Sequence, residues 1–280
     1  PMRVAVVQMN VTGDRDANLE RALRLVEQAA RRDAQLVVLP EYVTFLGDLE
    51  RFADVAETIP GPTTETLAAH ARRYGIYLHA GSLIECSPVT GRFYNTSLVF
   101  DPQGALIAVY RKVHLFDVDL PGLLSGHESR VIVPGDTLCL ARLPDLVLGL
   151  SICFDLRFPE MYRRMALAGA EAFAIPAAFM RVTGRAQHWE ILLRARAIEN
   201  HAYVLAAAQC GRDAAGHWHY GNSMIIGPWG EILTAAPEED ECVLIANLER
   251  TLVQKQRSEM PVLRLQRPDV YATLGNHQAL

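Results

Sequence analysis

The sequence predicts an α/β fold in which two mixed sheets are faced by helices, and three observations carry that reading. The chain opens on a β-α-β pattern, with an apolar stretch from Arg3 to Met9, an amphipathic helix from Asp16 to Arg32 and a second apolar stretch from Ala34 to Leu39. The same alternation returns past the middle of the chain, from Leu146 to Ala207. The segments between and after these two regions read instead as short strands joined by tight turns, which is the mark of antiparallel pairing. A strand-helix-strand unit implies parallel strands and a right-handed crossover. With no linker, repeat or low-complexity tract, residues 1–280 read as one domain with an extended C-terminal tail from about residue 258.

Each element has a local reason. Leu19, Ala22, Leu23, Val26 and Ala30 recur at helical spacing in the first helix. Pro60-Gly61-Pro62 is a turn signal, and a helix from Thr63 to Tyr74 follows it. Ile76 to Glu85, Asn95 to Phe100 and Ala105 to Tyr110 read as strands, with Gly91 and Asp101-Pro102-Gln103-Gly104 as their connections. Arg111 to Gly135 reads as a long irregular loop, of the kind that is usually functional or mobile. Strands resume at Thr137 to Leu140 and Leu146 to Ile152, then a helix from Pro159 to Ala168 and a strand from Ala172 to Ile175. A helix from Gln187 to Asn200 leads to the strand Tyr203 to Ala207. Ser223 to Ile226, Ile232 to Thr234 and Cys242 to Ala246 complete an antiparallel set, and a short helix near Leu248 to Arg257 closes the pattern.

Composition excludes several classes of function. Half of the 280 residues are hydrophobic, enough for a large core, and the net charge of −5 gives no footprint for nucleic acid or an anionic membrane. No apolar run approaches membrane-spanning length, and the N-terminal strand is too short for a signal-peptide core. Five widely spaced cysteines (Cys86, Cys139, Cys153, Cys210 and Cys242) without a CxxC pair argue against a disulfide framework or zinc ribbon and fit a reducing, cytoplasmic setting. His114, His127, His217 and His219 form no metal-ligand spacing such as HExxH, so no metal is expected. Lys112 and Lys255 are the only lysines, which makes each worth a question.

The stretch LVLGLSICFDLRFPE, Leu146 to Glu160, concentrates the chemistry. A strand ends there in a single cysteine, and Pro159-Glu160 opens a helix. Cys153 on such a turn, near the positive end of a helix, is expected to have a lowered thiol pKa and free backbone N–H groups for an oxyanion. The bland alternative is a buried cysteine at a strand end. Two more residues share its position type: Glu41 follows one predicted strand and Lys112 another. The carboxyl ends of parallel strands open onto one crevice. A carboxylate to move protons, an ammonium to stabilise an oxyanion and a thiol to attack make a covalent hydrolase. The rival outside enzymology is a binding or scaffold protein that keeps the fold, and the presence of all three residues argues against it.

VVLPEYVTF around Glu41, YRKVHLFDVDLPG around Lys112 and LGLSICFDLRFPE around Cys153 resemble the three signature segments of the nitrilase superfamily of carbon–nitrogen hydrolases. The similarity runs from VAVVQMN to RPDVYATLG, nearly the whole chain, and three motifs in the right order make it specific. HLFDVDLPG, HWEILLRARAIEN, AAAQCGR and GNSMIIGPWGEIL are similar to the Nit branch, which holds omega-amidases and deaminated-glutathione amidases. The resemblance implies an αββα sandwich, a Glu41–Lys112–Cys153 triad, a homodimer or higher homo-oligomer, no metal or organic cofactor, and amide hydrolysis through a thioester. It implies that Glu128 is a second glutamate beside the triad. It also implies that Arg157 occupies a place where related carbamoyl-amino-acid hydrolases hold a substrate carboxylate; an arginine fork suits that group, although a helix or interface anchor would use it equally well. The segment from Ala177 to Trp189 resembles a pocket lining, in which Arg181 is a departure that either reads a second carboxylate or faces solvent. Phe154, Tyr42 and Phe116 complete the candidate substrate-binding set, the last two as apolar walls, and Glu190 with Arg194 reads as a surface pair. The expected substrate is a small carboxylate-bearing amide. AAAQCGR and the FPE after Arg157 tilt toward deaminated glutathione over 2-oxoglutaramate, with N-carbamoyl amino acids and nitriles as alternatives.

Overall fold

A computed structural model of the protein describes residues 1–272. β1 (Met2–Gln8) leads into α1 (Arg15–Ala30), where the Asp14 carboxylate accepts the Ala17 N–H at 3.0 Å. Such a cap contributes about 1 kcal/mol to a helix start. β2 (Leu36–Val38), the single turn α2 (Phe52–Val55) and α3 (Pro62–Tyr74) follow, then β3 (Tyr77–His79), β4 (Leu83–Cys86), β5 (Phe93–Phe100) and β6 (Leu106–Arg111). The segment expected to be irregular instead carries a hairpin, β7 (Asp117–Leu120) and β8 (Leu124–His127). Around Cys153 come β9 (Leu140–Leu143), β10 (Leu146–Leu150), α4 (Pro159–Leu167) and β11 (Ala172–Ala177). Then come α5 (Arg181–Arg185), α6 (His188–Asn200), β12 (Tyr203–Ala208), β13 (Cys210–Arg212), β14 (Trp218–Tyr220), β15 (Met224–Ile226), β16 (Ile232–Ala235), β17 (Cys242–Leu248), α7 (Arg250–Glu259) and α8 (Pro268–Tyr271).

Two mixed sheets stack face to face. One has the order β17-β1-β2-β3-β5-β4, with β6 also on β5; the other has the order β16-β15-β12-β11-β10-β9. Val4 and Val6 of β1 pack into the core shared with Leu148, Ala174 and Val204 of the second sheet, whereas Ala5 and Val7 pack with Ala22 and Val26 of α1 and Leu67 of α3. Tyr162 and Met165 of α4 and Trp189 and Leu193 of α6 join the core from the other side. The layers are therefore helix, sheet, sheet, helix, and the αββα expectation holds. Burial on both faces explains why the central strands read as continuous apolar runs.

The strand expected over Ile76 to Glu85 is two strands, and the cause is local. Gly81 between them has φ +64°, and a Cβ there would lie 1.9 Å from the Pro40 carbonyl oxygen. The chain must turn at Gly81 so that the loop bearing Glu41 can pass against it. The strand expected at Thr137 to Leu140 lies at Leu140–Leu143, because the turn at Pro144 and Asp145 pairs Leu143 directly with Leu146. At the C-terminus, α7 runs past residue 258 and α8 forms beyond it, so the described part of the tail is not uniformly extended. Residues 273–280 of the expected tail lie outside the described residues.

Candidate active site

The carboxyl ends of strands from both sheets meet over one cavity of about 390 Å³, a size suited to a small molecule. β1, β2 and β3 are parallel, and β6, two antiparallel steps beyond β3 through β5, runs in their direction. β10, β11 and β12 are parallel in the other sheet. Glu41 lies just past β2, Lys112 just past β6 and Cys153 just past β10. All three are buried and line the cavity together with Glu128.

Glu41 is held from four directions. Its Oε1 accepts from Lys112 Nζ at 3.1 Å and from Asn95 Nδ2 at 2.9 Å. Its Oε2 accepts the Ala178 N–H at 2.8 Å, and its backbone carbonyl accepts Gln209 Nε2 at 2.8 Å. Glu128 is tied as closely: Lys112 Nζ donates at 2.9 Å, the Phe116 N–H at 2.7 Å and the Tyr42 hydroxyl at 2.8 Å. One buried ammonium thus lies between two buried carboxylates, and Asn95 donates to both of them.

The electrostatics follow from this packing. Burial disfavours the Lys112 ammonium, but the Glu128 and Glu41 carboxylates outweigh it and hold the lysine above its ordinary value. Burial also opposes ionisation of Glu128, yet the Lys112 charge and the converging donors keep its carboxyl below its ordinary value. Cys153 departs from expectation. Burial, and next the Glu41 charge, push the thiol well above its ordinary value, against the opposing pull of Lys112. The turn after Cys153 is a five-residue 3-10 helix, and whatever its dipole offers is outweighed by desolvation and a carboxylate in hydrogen-bonding contact. Both effects disfavour the thiolate of Cys153 beside Glu41.

The backbone at Cys153 is itself unusual, with φ 46° in the left-handed region that a non-glycine residue seldom occupies. Asp155 holds this turn. Its carboxylate accepts the Ile152 N–H at 2.9 Å, the Tyr110 hydroxyl at 2.6 Å, and both the backbone N–H and Nδ1 of His114 at 3.0 and 2.7 Å. One buried acid therefore fastens the Cys153 turn to the residues on either side of Lys112.

A carboxylate hub, a paired ammonium and a strained cysteine thus meet at the ends of the stacked sheets. Residues 3–258 match the Carbon-nitrogen hydrolase family. The chain belongs to the carbon–nitrogen hydrolase family. This hydrolase is 39% identical over 269 residues to the omega-amidase NIT2 of Mus musculus, covering 96% of each chain. Its fold matches the Caenorhabditis elegans NitFhit protein with a TM-score of 0.85 and 35% identity, over 96% of this chain and 66% of that one. It matches Saccharomyces cerevisiae Nit3, a member of branch 10 of the nitrilase superfamily, with a TM-score of 0.84 and 33% identity over 96% of both chains.

Within this carbon–nitrogen hydrolase the remaining expected site residues divide. Arg157 lines the cavity, with its guanidinium 5.8 Å from the Phe154 ring centroid and 5.4 Å from that of Phe179. Its one polar contact is His188 Nδ1 at 3.2 Å, and among the described residues it has no acidic partner. Tyr42, Phe116 and Phe154 line the cavity as well, Phe116 and Phe154 packing edge to face at 5.3 Å. Tyr42 is more than a wall, since its hydroxyl holds Glu128. Ala177 does not line the cavity; it ends β11 in the core, and its neighbour Ala178 is the residue that reaches Glu41. Arg181 does not line it either: it pairs with Glu238 and Glu239 and stacks 4.0 Å from the Trp218 ring centroid. Glu190 and Arg194 form the expected pair at 3.2 Å.

Asn95, Ala178, Gln209 and Asp155 were not legible as site residues, although Asn95-Thr96-Ser97 inside an apolar strand was an available signal. Among the described residues no group of three or more histidine, cysteine and acidic side chains is disposed to hold a metal.

Proposed function

We propose that the protein is a cysteine-dependent amidase that hydrolyses the omega-amide of a small keto acid, such as 2-oxoglutaramate, through a thioester. The observation that carries this reading is Arg157: a guanidinium without an acidic partner in the cavity that holds Glu41, Lys112 and Cys153. An unpaired arginine between aromatic faces is suited to a substrate carboxylate. The similarity to omega-amidases favours the short keto-acid amide over the longer deaminated glutathione.

Glu41 takes the Cys153 proton as sulfur attacks the amide carbon, so no free thiolate is required beforehand. Lys112 and the Phe154 N–H, which opens a helix and lacks an intrahelical acceptor, stabilise the oxyanion. Glu41 then protonates the departing nitrogen, and ammonia leaves the thioester. Glu41 next deprotonates water, which attacks the thioester; the carboxylic product leaves and the thiol regains its proton. Glu128 keeps Lys112 aimed and charged. No metal or organic cofactor enters this sequence.

The whole chain serves as one catalytic domain. Exposed Leu167 on α4, with Ile191 and Ile198 on α6, supports a homodimer formed through these helices. Five free cysteines support a reducing, cytoplasmic location. Among the described residues no helix is long and apolar enough to cross a membrane. Product release from 2-oxoglutaramate, deaminated glutathione and an N-carbamoyl amino acid, with Cys153→Ala as blank, tests the reading. Turnover of a keto-acid amide that vanishes in the blank is expected, and turnover that persists in the blank would sink the mechanism.

A further inference from the structure

One uncharged side chain in the cluster has no part in the reaction above. Asn95 lies in β5, fully buried, and its backbone carbonyl accepts the Lys112 N–H at 2.9 Å. Its Nδ2 donates to Glu41 Oε1 at 2.9 Å and to Glu128 Oε1 at 3.3 Å. Lys112 Nζ reaches the same two oxygens at 3.1 and 3.2 Å. An ammonium and a neutral amide therefore close a ring with one oxygen of each acid. The amide oxygen, Asn95 Oδ1, is buried and has no hydrogen-bond partner among the described residues. A leucine would fill nearly the same shape without that cost, so packing alone does not account for an amide here.

The ring limits where a proton can go. A carboxylate has about four lone-pair positions. Lys112, Asn95 and the Ala178 N–H take three on Glu41, and the remaining one is on Oε2. Glu128 has none left: Oε1 accepts from Tyr42, Lys112 and Asn95, and Oε2 from Lys112 and the Phe116 N–H. Lys112, Glu128, Cys153 and Tyr42 are the ionisable groups that face Glu41. Two buried carboxylates bonded to a single cation favour keeping a proton between them, and a donor bonded to both ionised forms opposes it.

We propose that Asn95 is a positioning residue that keeps Glu41 and Glu128 from sharing a proton, so that Glu41 meets the Cys153 thiol as a carboxylate with Oε2 open. The thiol proton then passes from Sγ to Oε2 as sulfur bonds the amide carbon. This rests on the proton transfer of the amidase reading and adds the residue that keeps its acceptor ready.

The pH profile tests it. Glu41 works as a carboxylate, so activity is present above the pH at which the Glu41–Glu128 pair takes up a proton and is lost below it. Asn95→Leu and Asn95→Ala both remove the shared donor, one filling its space and the other leaving it. Each is expected to move the acid limb of kcat/KM for 2-oxoglutaramate up by about one pH unit. Alkylation by iodoacetamide, followed at Cys153 by peptide mass, should show the same movement. Gln209→Leu releases the Glu41 backbone carbonyl but leaves the donors to its carboxylate in place, and its acid limb should stay at the wild-type position whatever happens to kcat. Thermal melting identifies the folded variants. An unmoved acid limb in a folded Asn95 variant, an equal movement in Gln209→Leu, or failure of both Asn95 variants to fold would each overturn the role of Asn95 and leave the amidase reading standing. A wild type that does not hydrolyse 2-oxoglutaramate would remove that substrate, and the alkylation profile would then decide the role of Asn95 by itself.

Discussion

Two cations in this molecule each lie between two carboxylates. Lys112 lies between Glu41 and Glu128 at the cavity floor, and Arg181 lies between Glu238 and Glu239 outside it. The charge pattern is the same and the surroundings are not. The Lys112 side chain is 2% exposed, whereas Arg181 is 16% and Glu239 59% exposed. In the buried cluster each charge was taken out of water and depends on its neighbours, so removing one leaves the others stranded. In the outer cluster water and salt can replace a missing partner. What decides the importance of an ion pair is what replaces it when it is broken. Arg157 completes the series as a cation in the cavity with no acidic partner among the described residues.

Breaking each arrangement sharpens the contrast. The largest effect is expected from Lys112→Ala, which leaves two buried carboxylates facing each other. Rapid-quench or steady-state kinetics should show kcat reduced on the order of a hundredfold or more, and urea unfolding should show a loss of about 3–5 kcal/mol. A fewfold loss of kcat would assign Lys112 to binding. Arg157→Ala should come next, raising KM for a carboxylate-bearing amide roughly 10- to 100-fold. If KM stays put while a neutral amide is hydrolysed equally well, Arg157 does not read the carboxylate.

Acid unfolding separates the two clusters more finely. The Glu128 carboxyl lies below its unfolded value of 4.5 in the folded protein, so its stabilisation is complete above that value and is lost as pH falls through the lower folded value. Glu128→Gln should therefore flatten the decline in urea midpoint below about pH 4.5. Glu238 is lowered too, but its side chain is 26% exposed and within reach of solvent, and Glu238→Gln should alter the same curve less. The smallest effect is expected from Arg181→Ala, with kcat/KM within about threefold and stability within about 1 kcal/mol. A tenfold loss of activity there would erase the distinction.

The same comparison shows what a linear sequence can reveal. Glu41, Lys112, Cys153 and Glu128 were legible because each follows a recognisable element within a specific segment. Arg157 was legible as a cavity residue for the same reason. For Arg181 the sequence left a carboxylate reader and a solvent-facing residue open, because Glu238 and Glu239, which hold it, lie far downstream and look like ordinary surface acids. Ala177 was one residue out, since the group that matters is a backbone N–H beyond the strand end, which no side chain advertises. The direction of the Cys153 shift was wrong because a turn that opens a helix is visible in sequence and burial beside a carboxylate is not. The β7–β8 and β13–β14 hairpins escaped because both are short and rich in polar residues and glycine, so neither shows alternation long enough to read.

The Asp155 clamp joins residues that the chain delivers from different sheets: the segment after β6 belongs to one, the turn after β10 to the other. Reactivity is consequently a seam property. Until the two sheets dock, Cys153 is apart from Glu41 and Lys112, which the first sheet brings together by itself. A growing or half-folded chain therefore lacks the assembled Glu41, Lys112 and Cys153 cluster. During refolding, the gain of hydrolytic activity is a reporter of that docking step.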